Sequence, residues 1–220
     1  LPSTRHAKHR HGTRLLAQQR QALLRQRQQW RQSDRLARRD QIIDTALELL
    51  HDEGLAQVTM RRVAARLGVG AMTLYTYVRG QDQLRREMIR RGFQKLGQHC
   101  RGCTAHADPR SWTPGATAYL EFARANPNLY RLMFSTPSIT REDLDIARAG
   151  YESLLERVRS LLTDAGLTGQ ALEDATVMRA GLYWIALHGL ASIIIDERLD
   201  IIGKDEQSLL SELLPRIAPA

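Results

Sequence analysis

The sequence predicts an all-α protein. Three observations carry that reading: apolar residues recur at helical spacing in successive segments, glycines and prolines mark most segment ends, and two short helical patterns are joined by a single glycine. A hydrophobic content of 43% with 15 glycines and 7 prolines in 220 residues fits that class. The length accommodates one domain, or a small domain followed by a larger one.

Residues 1–12 are polar, basic and unpatterned, and disorder is expected there. Residues 13–35 are rich in glutamine and arginine, with Leu16, Leu23, Trp30 and Ala37 recurring every seven residues. One apolar position per heptad is thin for a coiled coil, which wants two. A helix that firms up against DNA or a partner is expected, so residues 1–35 are read as a basic N-terminal extension. The next pattern, 36–53, places Leu36, Ile43, Ala46, Leu47 and Leu50 on one face and stops at Gly54.

The most informative stretch is TMRRVAARLGVGAMTLYTY, residues 59–77. Met60, Val63, Ala64 and Leu67 stand at i, i+3, i+4 and i+7, the buried face of a short helix with Thr59 at the N-cap. Gly68 ends it, because glycine accepts a left-handed turn. In the second short helix Val69, Leu74 and Val78 are the apolar positions, leaving Ala71, Met72, Thr73, Thr76 and Tyr77 for the outside. Helix, glycine turn, helix is the arrangement that lays a second helix in the major groove of DNA. Residues 36–80 are therefore expected to form a three-helix DNA-binding domain.

A fourth helix is expected over 81–99, with Leu84, Met88 and Phe93 buried, then a linker over 101–115. Helices follow over 117–126 and from Pro127 to Phe134, where proline suits a first helical position and Pro137 breaks the chain. A long helix over 140–165 turns Ile146, Ala149, Leu154, Leu155, Val158, Leu161 and Leu162 inward. After a turn at 166–169 comes the most apolar helix, 170–199, and a last one over 204–217.

LGVGAMTLYTYVRGQDQLRREM resembles the helix-turn-helix of the TetR (tetracycline-repressor) family, through Leu67-Gly68-Val69, Thr73-Leu74-Tyr75, Tyr77 and Leu84. Three positions depart from that pattern. Gly70 replaces a capping serine, Met72 a proline or glycine, and Gln81 a lysine that meets phosphate; Arg79 is the substitute cation. Further on, NPNLYRLMF and Tyr183-Trp184-Ile185-Ala186-Leu187-His188-Gly189 resemble the TetR C-terminal domain with a Trp-His-Gly signature. The resemblance spans residues 36–217. It implies a helical effector-binding and dimerisation domain over 81–217, in which 81–99 is the connecting helix whose angle sets the spacing of two heads. It also implies a homodimer joined through the last two helices.

Phosphate contacts are expected from Thr59, Arg61, Arg62, Arg66, Tyr75, Tyr77 and Arg79, with Tyr75 as a core residue the alternative. Base reading falls to Ala71, Met72, Thr73 and Thr76, which offer methyls and hydroxyls but no bidentate group, so apolar contacts and DNA shape should matter. The resemblance implies a cavity walled by Tyr119, Phe122, Tyr130, Met133, Phe134, Tyr151, Met178, Trp184 and His188, suited to a small hydrophobic effector. A filled core, with His188 a structural histidine, is the alternative.

The net charge is +8, yet the first 39 residues carry eleven basic side chains and one acid, Asp34. A basic arm ahead of a nearly neutral body points to phosphate, or is simply a solvated tail. Cys100 and Cys103, flanked by His99 and His106, form a Cys-x-x-Cys that is a weak metal or redox candidate; two ordinary cysteines at a helix end are the alternative. No cofactor is implied. No 18-residue apolar run and no signal-peptide pattern occur, so a cytoplasmic protein without membrane contact is expected. No nucleophile elbow, phosphate loop or HExxH motif points to an enzyme. The expected function is a DNA-binding transcriptional regulator, a repressor released by an effector; a redox- or metal-responsive regulator and an architectural DNA binder are the rivals.

Overall fold

The structure, a computed structural model, describes residues 20–21, 24–25, 35–106, 108, 111–134 and 141–219. From residue 35 onward these form nine α-helices and two 3-10 turns, with no strand among the described residues. Most of the basic extension and its heptad seam lie outside the described residues, as does Pro137. Two compact units are present, one ending at Met88 and the other beginning at Ile89, so the boundary falls inside a helix.

The first unit opens with α1 (Arg35–Glu53), which buries Ile42, Ile43, Ala46, Leu47, Leu49 and Leu50. Leu36, expected on the same face, is 68% exposed. The apolar period runs on into a first turn that no described residue covers, and periodicity alone cannot tell where cover ends. After Gly54 (φ +83°) and a 3-10 turn (Leu55–Gln57) comes α2 (Met60–Arg66). Thr59 caps it, its hydroxyl oxygen accepting from the Arg62 amide at 3.2 Å. At the other end the Gly68 amide donates to Ala65 O and the Val69 amide to Ala64 O, both at 3.0 Å, with Gly68 at φ +69°. That pairing is the Schellman closure, which needs a left-handed residue at the position Gly68 holds.

Helix α3 (Ala71–Leu74) has only four residues, and tight turns carry the chain on to Gly80. Leu74 and Val78 are wholly buried. The helix α4 (Gln81–Thr104) begins with a clamp: the Gln81 side-chain amide donates to Val58 O at 2.5 Å, and its oxygen accepts from the Met60 amide at 3.2 Å. The position where the family resemblance would put a phosphate-binding lysine is thus occupied by a side chain that ties α4 to the start of α2.

The second unit contains the rest of α4 with α5 (Thr113–Ala125), α6 (Pro127–Phe134), α7 (Arg141–Asp164), α8 (Gly169–Ile195), a 3-10 turn (Leu199–Ile201) and α9 (Glu206–Ile217). Helix α4 runs past the expected end at 99, so Cys100 and Cys103 are helical. Helix α5 starts at Thr113 rather than 117, because Pro114 suits its first turn. Helix α8 is the centre of this unit and packs on α5, α7 and α9. By length and composition α8 would also suffice to cross a membrane. Here it buries Thr176, Ala180, Tyr183, Leu187, Leu190, Ala191 and Ile194 against its neighbours. Its last carbonyls meet Arg131, which donates to Ile195 O and to Asp196 at 2.8 Å each. On α7, Leu155, Val158 and Leu162 are buried; the side chains of Ile146 and Ala149 lie outside the described set. Gly92 permits a close approach, since a Cβ there would stand 2.7 Å from Met133 Sδ.

Gly68 after α2 and Glu197 after α8 both stand in the left-handed region, and they make opposite predictions. Gly68→Ala puts a Cβ where φ is +69° and is expected to lower stability by about 1–2 kcal/mol. Glu197, at φ +56° in the matching position after α8, already carries that strain. Glu197→Gly should raise stability by about 0.5–1 kcal/mol. Urea unfolding of both variants checks the pair, and shifts of the same sign would contradict it.

Candidate functional site

Two arrangements, one in each unit, have the makings of a site. In the first, burial on the inner side of α3 leaves the outer side free. Met72 is 79% exposed and Tyr75 49%, with Thr76 and Arg79 exposed and Ala71 and Thr73 partly so. Tyr75 is therefore not a core residue. Tyr77 is half-buried: Arg38 donates to its hydroxyl at 2.5 Å and stands 5.8 Å from its ring centre. Arg61, Arg62 and Arg66 are exposed on α2.

Two of these arginines already have acidic partners. Arg62 pairs with Glu53 and with the Gln57 side chain, and Arg66 with Asp52 at 2.6 Å and Glu53 at 3.7 Å. The carboxylates come from the last turn of α1, where nothing in the helical pattern marks them as partners. All four side chains are more than a third exposed, so each pair contributes little to stability. Their effect is to hold the two guanidinium groups in place on the exposed side of α2.

The second arrangement is a cavity of about 860 Å³ within the second unit. Helix α4 contributes Phe93, Leu96 and Cys100, α5 Tyr119, α6 Met133 and Phe134, α7 Tyr151 and Leu154, and α8 Val177, Trp184 and His188. Rings dominate one wall. Phe134 stands 4.5 Å from His188 and 5.4 Å from Phe93, Trp184 stacks on His188 at 5.5 Å, and Tyr151 meets Trp184 edge-on at 6.0 Å.

Behind that wall runs a hydrogen-bonded row: the Tyr119 and Tyr130 hydroxyls are 2.9 Å apart, and Tyr130 Oη is 2.6 Å from His188 Nδ1. Burial pushes the Tyr119 phenol up to about 12 and the Tyr130 phenol well above its usual range, while it lowers His188 below 6.5. All three groups are neutral at pH 7. Burial also lifts Cys100 to about 11, so it meets the cavity as a thiol. At another part of the wall Trp112 lies between Tyr183, whose hydroxyl donates to Trp112 O at 3.1 Å, and Arg157, whose guanidinium is 4.3 Å from the indole centre.

Of the nine side chains expected around the cavity, six line it. Tyr130 is buried behind the wall, joined to it through His188. Phe122 is buried elsewhere in the core, and Met178 is 63% exposed, away from the lining. Helical spacing explains the last: Val177, Gly181, Trp184 and His188 make one stripe of α8, and Met178 sits one residue off it. Arg101, Arg148 and Arg157, none of them among the nine, also lie in the lining. They read as surface charge on polar faces, and only their place among the helices distinguishes them. Of the four candidate metal-ligating residues, His99 and Cys103 converge, while Cys100 turns to the cavity and His106 lies outside the group.

A helix-turn-helix unit and a cavity-bearing helical unit, with one helix running from the first into the second, place the chain in a class of two-unit helical proteins built on a helix-turn-helix. Comparison with known proteins agrees. Residues 42–88 match the family described as bacterial regulatory proteins, tetR family, and residues 112–217 match the tetracyclin repressor-like C-terminal domain. Among relatives, the HTH-type transcriptional repressor DrrR1 of Streptomyces coeruleorubidus is 31% identical over 146 residues, 64% of this chain and 49% of DrrR1. YobS, an uncharacterized HTH-type transcriptional regulator of Bacillus subtilis, is 30% identical over 90 residues, 40% of this chain and 47% of YobS. The chain thus spans about half the length of these relatives. The regulatory protein SCO4313 shares the fold, with a TM-score of 0.68 at 23% identity, covering 84% of this chain and 97% of its own. The chain belongs to the TetR family.

The buried row predicts a pH dependence. Because His188 titrates below its unfolded value of 6.5, folding stability is complete above pH 6.5 and falls as the pH drops toward the folded value, where the unfolded chain takes up a proton that the folded one resists. Urea midpoints at pH 7.5, 6.5 and 5.5 should show that slope, and His188→Gln should flatten it; an unchanged slope in the variant would rule His188 out as its source. Tyr130→Phe leaves Tyr119 and His188 without their shared partner and should cost about 1–3 kcal/mol.

Proposed function

We propose that the chain is a cytoplasmic, effector-controlled repressor that binds a near-palindromic operator in duplex DNA as a homodimer. The observation that carries the DNA half is the outward strip of Met72, Thr73, Tyr75 and Thr76, which runs from α3 into the turn after it and whose inner side is locked by Leu74 and Val78. Thr59, Arg61, Arg62, Tyr75, Tyr77 and Arg79 hold phosphates on this reading; Ala71, Met72, Thr73 and Thr76 face the base edges. The strip presents methyl and methylene groups and hydroxyls, so thymine methyls and groove shape account for more of the discrimination than paired hydrogen bonds do. Arg62 and Arg66 exchange Glu53 and Asp52 for phosphate on binding, and the affinity falls with salt as counterions return.

Support for the dimer comes from α8. Met178, Leu182 and Ile185 stand at i, i+4 and i+7 and are 63%, 58% and 61% exposed, an apolar run that a lone chain leaves in water. Gly189 continues the face, and a Cβ there would meet nothing within 4 Å among the described residues. A second copy laid along this face makes use of both features.

The cavity is read as the effector site. Among the described residues its lining holds three arginines, Arg101, Arg148 and Arg157, and no carboxylate. An apolar, ring-bearing molecule with an anionic end suits that combination. Helix α4 starts at the Gln81 clamp and ends with Cys100, Arg101 and Thr104 in the lining. An effector that prefers one setting of this helix shifts the population of DNA-competent dimers, and a preference of about 10⁴-fold takes binding from nearly complete to nearly absent.

Gel shifts with the chain's own promoter region at fixed salt test the DNA half. Arg61→Ala should weaken binding to all sequences and reduce the salt slope by about one, whereas Thr73→Ala should change sequence preference. Affinity that does not discriminate between sequences would favour the architectural reading instead. Leu182→Glu should give a folded monomer in sedimentation that no longer holds the operator. Thermal shift with aromatic carboxylates and their neutral amides should favour the acids, and Arg148→Ala should remove the difference; equal stabilisation by both would refute the anionic preference.

A further inference from the structure

Of the two cysteines in the Cys-x-x-Cys element, only Cys100 lines the cavity. The other, Cys103, points outward with two companions. His99 and Cys103 are one turn apart on α4 and so share a face, while Glu121 reaches them from α5. One ligand atom from each, an imidazole nitrogen, a thiol sulfur and a carboxylate oxygen, lies within 4.8 Å of the other two, and His99 Nε2 is 3.6 Å from Glu121 Oε2. All three are exposed, so water and ions reach them freely. The likeness to a zinc finger is slight, because the ligands are three rather than four and the partner segment supplies a carboxylate.

We propose that His99, Cys103 and Glu121 form a binding site for a borderline divalent cation, Zn²⁺ in the first place, with a fourth position left to water. The donor set selects the metal. Thiolate and imidazole favour Zn²⁺ and its first-row neighbours over Mg²⁺ and Ca²⁺, which want oxygen alone. Bond lengths of about 2.0–2.3 Å in a tetrahedron put neighbouring donors about 3.3–3.8 Å apart. The imidazole–carboxylate separation already fits, and the sulfur needs to move by at most about 1.5 Å, which rotation about exposed side-chain bonds supplies. Thiolate and carboxylate together offset the charge of the ion. The thiol gives up its proton to solvent on binding, so affinity rises with pH. Occupied, the site ties the last turn of α4 to α5, beside the segment from which Cys100, Arg101 and Thr104 line the cavity.

The test uses the full chain, reduced and stripped with a chelator, titrated with Zn²⁺ against a chromophoric competitor and with Co²⁺ for its spectrum. One equivalent of Zn²⁺ should bind. The Co²⁺ form should show a thiolate charge-transfer band and the intense visible bands of a four-coordinate ion. Cys103→Ser should abolish the charge-transfer band, and Cys103→Ser and Glu121→Gln should each weaken binding by at least about tenfold, while Cys100→Ser leaves both readouts unchanged. Circular dichroism establishes that each variant is folded. Absence of binding with tens of micromolar Zn²⁺ overturns the site. So does a charge-transfer band lost in Cys100→Ser but kept in Cys103→Ser. Binding that survives Cys103→Ser and Glu121→Gln yet disappears when His6, His9 and His11 are replaced assigns the metal to the N-terminal histidines and likewise overturns it.

Discussion

A four-residue helix has no stability of its own, because a single turn fixes more backbone than its hydrogen bonds repay. Everything proposed for α3 therefore depends on what holds it in place. Three devices do so: burial of Leu74 and Val78, the Schellman closure at Gly68, and the Gln81 amide that bridges Val58 and Met60. The first is apolar and sets the orientation of the helix about its own axis, so that Met72 and Thr76 come to face outward. The other two are polar and fix where the flanking segments begin and end. Side chains on the outer face can then vary without disturbing the inner one.

The charges around this element show the same economy. Arg62 and Arg66 are kept in place by Glu53 and Asp52 at the end of α1, in pairs that are well exposed. Such pairs are weak in water, and on the proposed DNA contact that weakness would let a phosphate displace the carboxylate at small cost. A buried pair would be fixed in its first geometry, since separating it leaves a desolvated charge behind.

In the second unit the governing constraint is the central position of α8, apolar on almost every side. One stripe packs the core, a second lines the cavity through Val177, Trp184 and His188, and a third, through Met178 and Leu182, meets solvent in the single chain. The Tyr119–Tyr130–His188 row runs from the lining through the buried Tyr130 and satisfies three polar groups that the rings would otherwise strand. The cavity is thus an aromatic wall on a polar backing, with the arginines in the same lining.

The all-α class, the helix-turn-helix and the order of the helices were legible in the chain itself. They rest on local physics: apolar spacing, the Thr59 cap, the glycine at 68, the proline at 127. Proximity across the chain was not legible. Nothing in the spacing of residues says that Gln81 meets Val58, that Glu121 joins His99 and Cys103, that Phe122 and Met178 miss the cavity, or that three arginines reach it. Local preferences set which face of a helix is apolar, and tertiary packing sets what that face meets. The exposure of Leu36, the wall around the cavity and the partners of each charge are decided by neighbouring helices, settled only when those helices are brought together.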